Sequence, residues 1–94
     1  MKRKMTSTNY MIDYVKDFIE GRMERWEFDM DYSAYMIEHY PKMECENPQL
    51  ADCFVWYIDK RGFEKGQDLP DDKYKMLIKR RFEQFMSVFD DGIL

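Results

Sequence analysis

The chain has 94 residues, 45% of them hydrophobic and 17% aromatic, enough apolar material for one folded domain with a single core. No apolar run approaches the roughly 18 residues of a membrane span, and no apolar block follows the basic start MKRKMTSTNY, as a secretory signal requires. Four glycines and three prolines are too few for a turn-rich sandwich or barrel, and two cysteines with one histidine argue against a structural zinc, a haem attachment or a disulfide framework.

Residues 1–8 are expected to be disordered, and residues 9–20 read as the first helix. Met11, Ile12, Val15, Phe18 and Ile19 fall on one helical face, with Thr8 or Asn9 as cap and Gly21 as stop. Residues 24–39 fit two patterns. Trp26, Phe28, Met30 and Tyr32 alternate with Glu27, Asp29 and Asp31 as in a strand. Trp26, Met30, Ser33, Ala34 and Ile37 also line one helical face, extended by Tyr32, Tyr35, Met36 and Tyr40. A strand needs a partner and no other segment alternates, so a helix is expected, ended by Pro41.

Residues 47–61 form the third expected helix, opened by Asn47-Pro48 and closed by Gly62, with Leu50, Cys53, Phe54, Tyr57 and Ile58 facing inward. Residues 63–67 read as a loop. The fourth helix spans 69–89, with Asp68 and Asp71 in capping-box spacing and Tyr74, Leu77, Ile78, Phe82, Phe85 and Phe89 on its apolar face. Asp90-Asp91-Gly92 closes it. Four amphipathic segments with short connections predict an all-α fold, an antiparallel four-helix bundle.

The net charge of −4 is unevenly placed. Residues 17–59 hold eleven acids against three bases, whereas residues 60–94 hold seven acids against eight bases. An acidic surface repels nucleic acid and steers a basic partner inward. Glu38, Glu44, Glu46 and Asp52 gather around the expected connection between the second and third helices, opposed only by Lys42. Trp56 lies off the inner stripe, near Asp52 and Asp59, the combination of aromatic area and charge found in protein-binding hot spots. Packing beneath the 63–67 loop is an equally weighted role for Trp56.

Other chemistry is less well supplied. Cys45 and Cys53 with His39 do not make a metal site. Cys53 reads as a core residue and Cys45 as an exposed thiol. His39 has no nucleophile pattern beside it and reads as a residue near a helix C-terminus rather than a general base. Lys75 and Lys79-Arg80-Arg81 form a basic run too short for a nucleic-acid patch, and pairing with acids across the bundle, or favourable placement toward a helix C-terminus, is expected instead.

The stretch YMIDYVKDFIEGRMERWEFDMDYSAYM resembles the opening of colicin D-type immunity proteins, with Phe18, Ile19, Gly21 and Phe28 at the matching places. The stretch ADCFVWYIDKRGFEKGQDLPDDKYKMLIKRRFEQF is similar to that family's second half through Phe54, Asp68 to Asp72, Ile78 and Phe82. The pattern, over about residues 10–89, also fits immunity proteins of contact-dependent inhibition systems. The resemblance implies a small bacterial protein that binds a cognate toxin nuclease, often a tRNA-cleaving one, and covers its basic active site with carboxylates. The expectation is therefore a cytoplasmic immunity protein in a one-to-one complex with the toxin domain, with no catalytic residue, metal or cofactor, and no nucleic-acid or membrane partner. From charge, its toxin-binding residues are Glu38, Glu44, Glu46, Asp52, Trp56 and Asp59. An acidic adaptor that mimics nucleic acid for another basic protein is the alternative.

Overall fold

The computed structural model describes residues 5–90, which form four helices and no strand. They are α1 (Thr6–Ile19), α2 (Arg25–Glu46), α3 (Pro48–Phe54, running on without a break into a π-helical stretch, Val55–Glu64) and α4 (Asp71–Asp90). Consecutive helices pack together, and α4 returns to close against both α1 and the π-helical stretch, giving a four-helix bundle. Lys2 to Lys4, and Asp91-Gly92 of the expected closing turn, lie outside the described residues.

The apolar face read for α1 is the one it buries: Met11, Ile12, Val15 and Phe18 are all in the core, joined by Tyr14. Its end is set by Gly21, the one described residue at positive φ (83°). Gly21 N–H donates to Phe18 O and Arg22 N–H to Asp17 O, the paired bonds of a Schellman turn. Its start differs from expectation. The helix begins at Thr6, and Ser7 and Thr8 are buried in its first turn rather than disordered or capping. Their amides are met by a carboxylate from α2, described below.

The ambiguous segment is helical, and of the face read from the spacing only the extension packs inward: Tyr32 is buried and Tyr35, Met36 and Tyr40 are half-buried against the core, whereas Trp26, Met30, Ser33, Ala34 and Ile37 are exposed. Phe28, Tyr32 and Met43 are in the core, while Trp26, Met30 and Ile37 are 64%, 64% and 78% exposed. Apolar residues occupy both sides of α2, so periodicity alone does not choose between them. Stacking does: Phe28 lies 4.4 Å from the Phe18 ring and Tyr32 lies 4.2 Å from Phe63.

Nor does Pro41 end α2, which continues to Glu46. A proline removes one helical hydrogen bond, and here both Ile37, whose carbonyl loses that partner, and Pro41 are exposed residues. The turn beyond it is anchored by Met43, which is fully buried. The expected acidic loop between the second and third helices therefore does not exist. Only Asn47 separates the helices, and its side chain accepts from the N–H groups of Gln49 and Leu50, both at 3.1 Å, as the Asn-Pro signal predicts.

Gly62 is not a terminator either. The helix passes through it in the π-helical stretch, and its missing side chain lets α4 approach: a Cβ there would sit 3.1 Å from Ile78 Cδ1. Residues 63 and 64, expected in the loop, belong to this stretch. Helix α4 starts at Asp71, so Asp68 lies in the preceding turn and not in a capping box. Tyr74, Ile78 and Phe85 are its fully buried residues.

Candidate functional site

The acids proposed from the sequence do not all share one surface. Between α2 and the π-helical stretch that follows α3, Met36, Ile37, Tyr40 and Pro41 face Val55, Asp59 and Lys60 across an open groove of about 450 Å3. Its floor is apolar. Two charged residues line the groove: Asp59, and Lys60, whose ammonium lies 3.6 Å from Glu64. Glu44 and Asp52 are exposed beside Tyr40, and burial followed by these two carboxylates raises the Tyr40 phenol above its ordinary pKa. Asp59 thus lines the groove itself, and Glu44 and Asp52 lie beside it, next to the groove residue Tyr40.

Asp59 is partly buried there. Loss of water raises its carboxyl above the usual aspartate pKa and outweighs the contrary effect of the Tyr32 hydroxyl. Tyr32 itself is buried, and its hydroxyl oxygen is without an ordinary hydrogen-bond partner; Asp59 is the acid it meets. A carboxylate held at this cost beside an apolar groove can gain from a cation supplied by a partner.

Glu46 has a different role. Its carboxylate accepts from Ser7 N and Thr8 N, both at 2.8 Å, and from the Thr8 hydroxyl at 2.7 Å. Burial alone would raise its pKa, but these three donors and His39 hold it below the ordinary glutamate value. It is a cap on the positive end of α1. Glu38 is 60% exposed and lies 3.7 Å from His39 Nε2. Trp56 is 56% exposed, carries the Arg61 guanidinium 5.6 Å above its ring and is not among the groove-lining residues.

His39 is mid-helix rather than at a helix end. Its Nδ1 lies 3.0 Å from Ser7 Oγ and its ring stacks on Tyr10 at 4.3 Å, a packing role at the α1–α2 contact. Arg81 bonds Gln84 at 2.8 Å instead of an acid, and burial together with Arg61 and Arg80 lowers its pKa. Among the described residues no three His, Cys, Asp or Glu side chains converge as metal ligands, and no helix is long and apolar enough to cross a membrane.

Two features escape a reading by composition. One is the exposed apolar side of α2. The other is a cleft of about 370 Å3 between α1 and α2, where Asp13, Glu27 and Asp31 surround Tyr10 and Tyr35. Asp13 and Asp31 come from different helices, and nothing local in the sequence pairs them.

Comparisons with protein families, with curated proteins and with solved structures find no match for this chain. The functional reading therefore rests on the residues and on the resemblance stated above.

Proposed function

We propose that this chain is an immunity protein that binds a cognate bacterial toxin nuclease, a tRNA-cleaving one by the resemblance, and neutralises it by covering its basic active site. The observation that carries the reading is the groove between α2 and the π-helical stretch, where Asp59 stands in the wall beside an apolar floor and Glu44 and Asp52 lie next to its Tyr40. A nuclease must present cations to grip phosphate. Fixed carboxylates on a rigid bundle can take the places of those phosphates, and the apolar floor adds area that excludes water. The eleven acids of residues 17–59 supply the field that speeds encounter.

The test is neutralisation of the toxin domain encoded beside this chain, measured as nuclease activity with increasing amounts of the protein. The expected result is one-to-one inhibition, with association slowing as salt screens the charges. Replacing the exposed Glu44 and Asp52 together by lysine should weaken binding about 100-fold or more, a few kcal/mol for charge pairs closed within an interface. Full inhibition by that double variant would remove the site; an uninhibited nuclease with wild-type protein would remove the function.

A further inference from the structure

Three of the six large hydrophobic side chains exposed among the described residues, Trp26, Met30 and Ile37, stand on one side of α2. They are spaced four and seven residues apart, a stripe about 16 Å long at the rise of an α-helix. Ser33, Ala34 and Pro41, also exposed, complete it without adding charge. One edge of the stripe opens into the groove, through Ile37 and Pro41, toward Val55. A continuous apolar side on an otherwise charged helix is the ordinary sign of a surface meant to be covered.

Both edges of this stripe are acidic. Glu27, Asp31 and Glu38 each follow a stripe residue by one position and so form a parallel row along α2. On the groove side, Asp59 is in the wall and Glu44 and Asp52 lie beside Tyr40. Of the nearby bases, Arg25 bonds Leu69 O and Asp71, Lys60 pairs with Glu64 on the groove wall, and Lys42, exposed one turn beyond Glu38, is outnumbered by the acids. A second copy placed face to face would bring acidic rows against acidic rows, and an anionic membrane would be repelled.

We infer that the outer side of α2 and its groove with the π-helical stretch receive an amphipathic helix of a partner protein, with apolar side chains on one face and Lys or Arg along both flanks. This rests on the protein-binding reading of the groove and adds the element that is bound. A helix suits the surface because an open apolar groove beside a helix accepts the ridge of another. Apolar contacts along the stripe supply affinity, and the two acidic rows select basic flanks and fix the helix in place.

The probe is a synthetic helical peptide with leucines at the matching spacing and lysines on both flanks, against a peptide with the same leucines and glutamate flanks. Binding is followed by amide NMR shifts on the intact chain. The expected result is shifts centred on Trp26, Met30, Ile37 and Val55, with the basic peptide bound at least about tenfold more tightly. Met30→Glu and Ile37→Glu alter exposed positions, so the helical CD signal and melting should be kept while peptide affinity falls about tenfold or more.

Equal affinity for the two peptides, shifts centred elsewhere, or no binding would overturn the inference. So would a dimer of the free chain that Ile37→Glu dissolves, which would name a second copy as occupant. Should the Glu44 and Asp52 reversals abolish nuclease inhibition while Trp26→Glu and Met30→Glu, outside the groove, leave it intact, the immunity reading stands and the docked helix falls. Should the peptide bind as expected with no nuclease inhibited, the reverse holds.

Discussion

Glu46, the last residue of α2, and Thr8, in the first turn of α1, are joined by two hydrogen bonds, from the Thr8 amide and hydroxyl to one carboxylate oxygen. The other oxygen takes the Ser7 amide. Free N–H groups at a helix start are ordinarily met by the residue that precedes the helix. Here Met5 occupies that place and has no side chain able to do so. A carboxylate 38 residues away does it instead, and its charge also suits the helix dipole.

Glu46→Ala should therefore destabilise the fold by about 0.5–2 kcal/mol, the range for loss of a helix cap. The same contact fixes a pH dependence. The folded pKa of Glu46 is lowered, so its contribution is complete above the unfolded value of about 4.3 and is lost as pH falls through the folded one. Chemical denaturation at neutral pH and at decreasing acid pH should show the wild type losing stability faster than Glu46→Ala.

Arg25 ties the start of α2 to the turn before α4. Its guanidinium donates to Leu69 O at 2.6 Å, Gln67 O at 3.1 Å and Gly66 O at 3.3 Å, and pairs with Asp71 at 3.0 Å. It also lies 4.1 Å from the centre of the Tyr74 ring, whose hydroxyl donates to Asp29. A lysine keeps the charge but cannot place several donors in one plane. Arg25→Lys should cost about 1.5–3 kcal/mol, the scale of hydrogen bonds to a charged group, in a denaturant titration. A loss below about 0.5 kcal/mol would show that a point charge suffices.

How much of this is visible in the sequence depends on how local the signal is. The buried face of α1, the Gly21 stop and the Asn47-Pro48 start are each written in a few adjacent residues, and the structure has all three. The buried face of α2 is not, because Trp26, Met30 and Ile37 compete with Phe28, Tyr32 and Met43, and only contacts with Phe18 and Phe63 decide. Pro41 misleads for the same reason: its local cost is outweighed by the anchoring of Met43 and Glu46 beyond it. At the candidate site, the one-residue link at Asn47 draws Glu44 and Asp52 together around Tyr40. Glu46 turns away because amides from a distant helix claim it, which charge counting does not register.

Two glycines on the α4 side should answer differently to a methyl group. At Gly66 a Cβ would stand 2.5 Å from the Tyr74 ring, a fully buried side chain that has nowhere to go. Gly66→Ala should cost about 1–3 kcal/mol, as overpacking does. At Gly62 the nearest atom is Ile78 Cδ1 at 3.1 Å, a side-chain terminus that needs to shift only a few tenths of an ångström. Gly62→Ala should stay within about 1 kcal/mol of wild type, because lost backbone freedom in the unfolded chain offsets the crowding. Thermal melts of the two variants side by side check the order; at about 4–8 °C per kcal/mol, the difference is easily read.

Asp59 should behave in the opposite sense to Glu46. Its folded pKa is raised, chiefly by burial, so the folded state favours the neutral acid. Its favourable contribution is present below the unfolded aspartate value of about 3.9 and is lost as pH rises through the raised folded value. Asp59→Asn removes the charge while keeping a group that can accept from the Tyr32 hydroxyl. At neutral pH the variant should be at least as stable as wild type, and its advantage should shrink as the pH is lowered and wild-type Asp59 becomes protonated. If the groove is where a basic partner docks, the same variant should bind that partner more weakly. Stability and binding would then move in opposite directions at one residue. A variant that loses stability at neutral pH would show instead that the charge itself holds the Tyr32 region together.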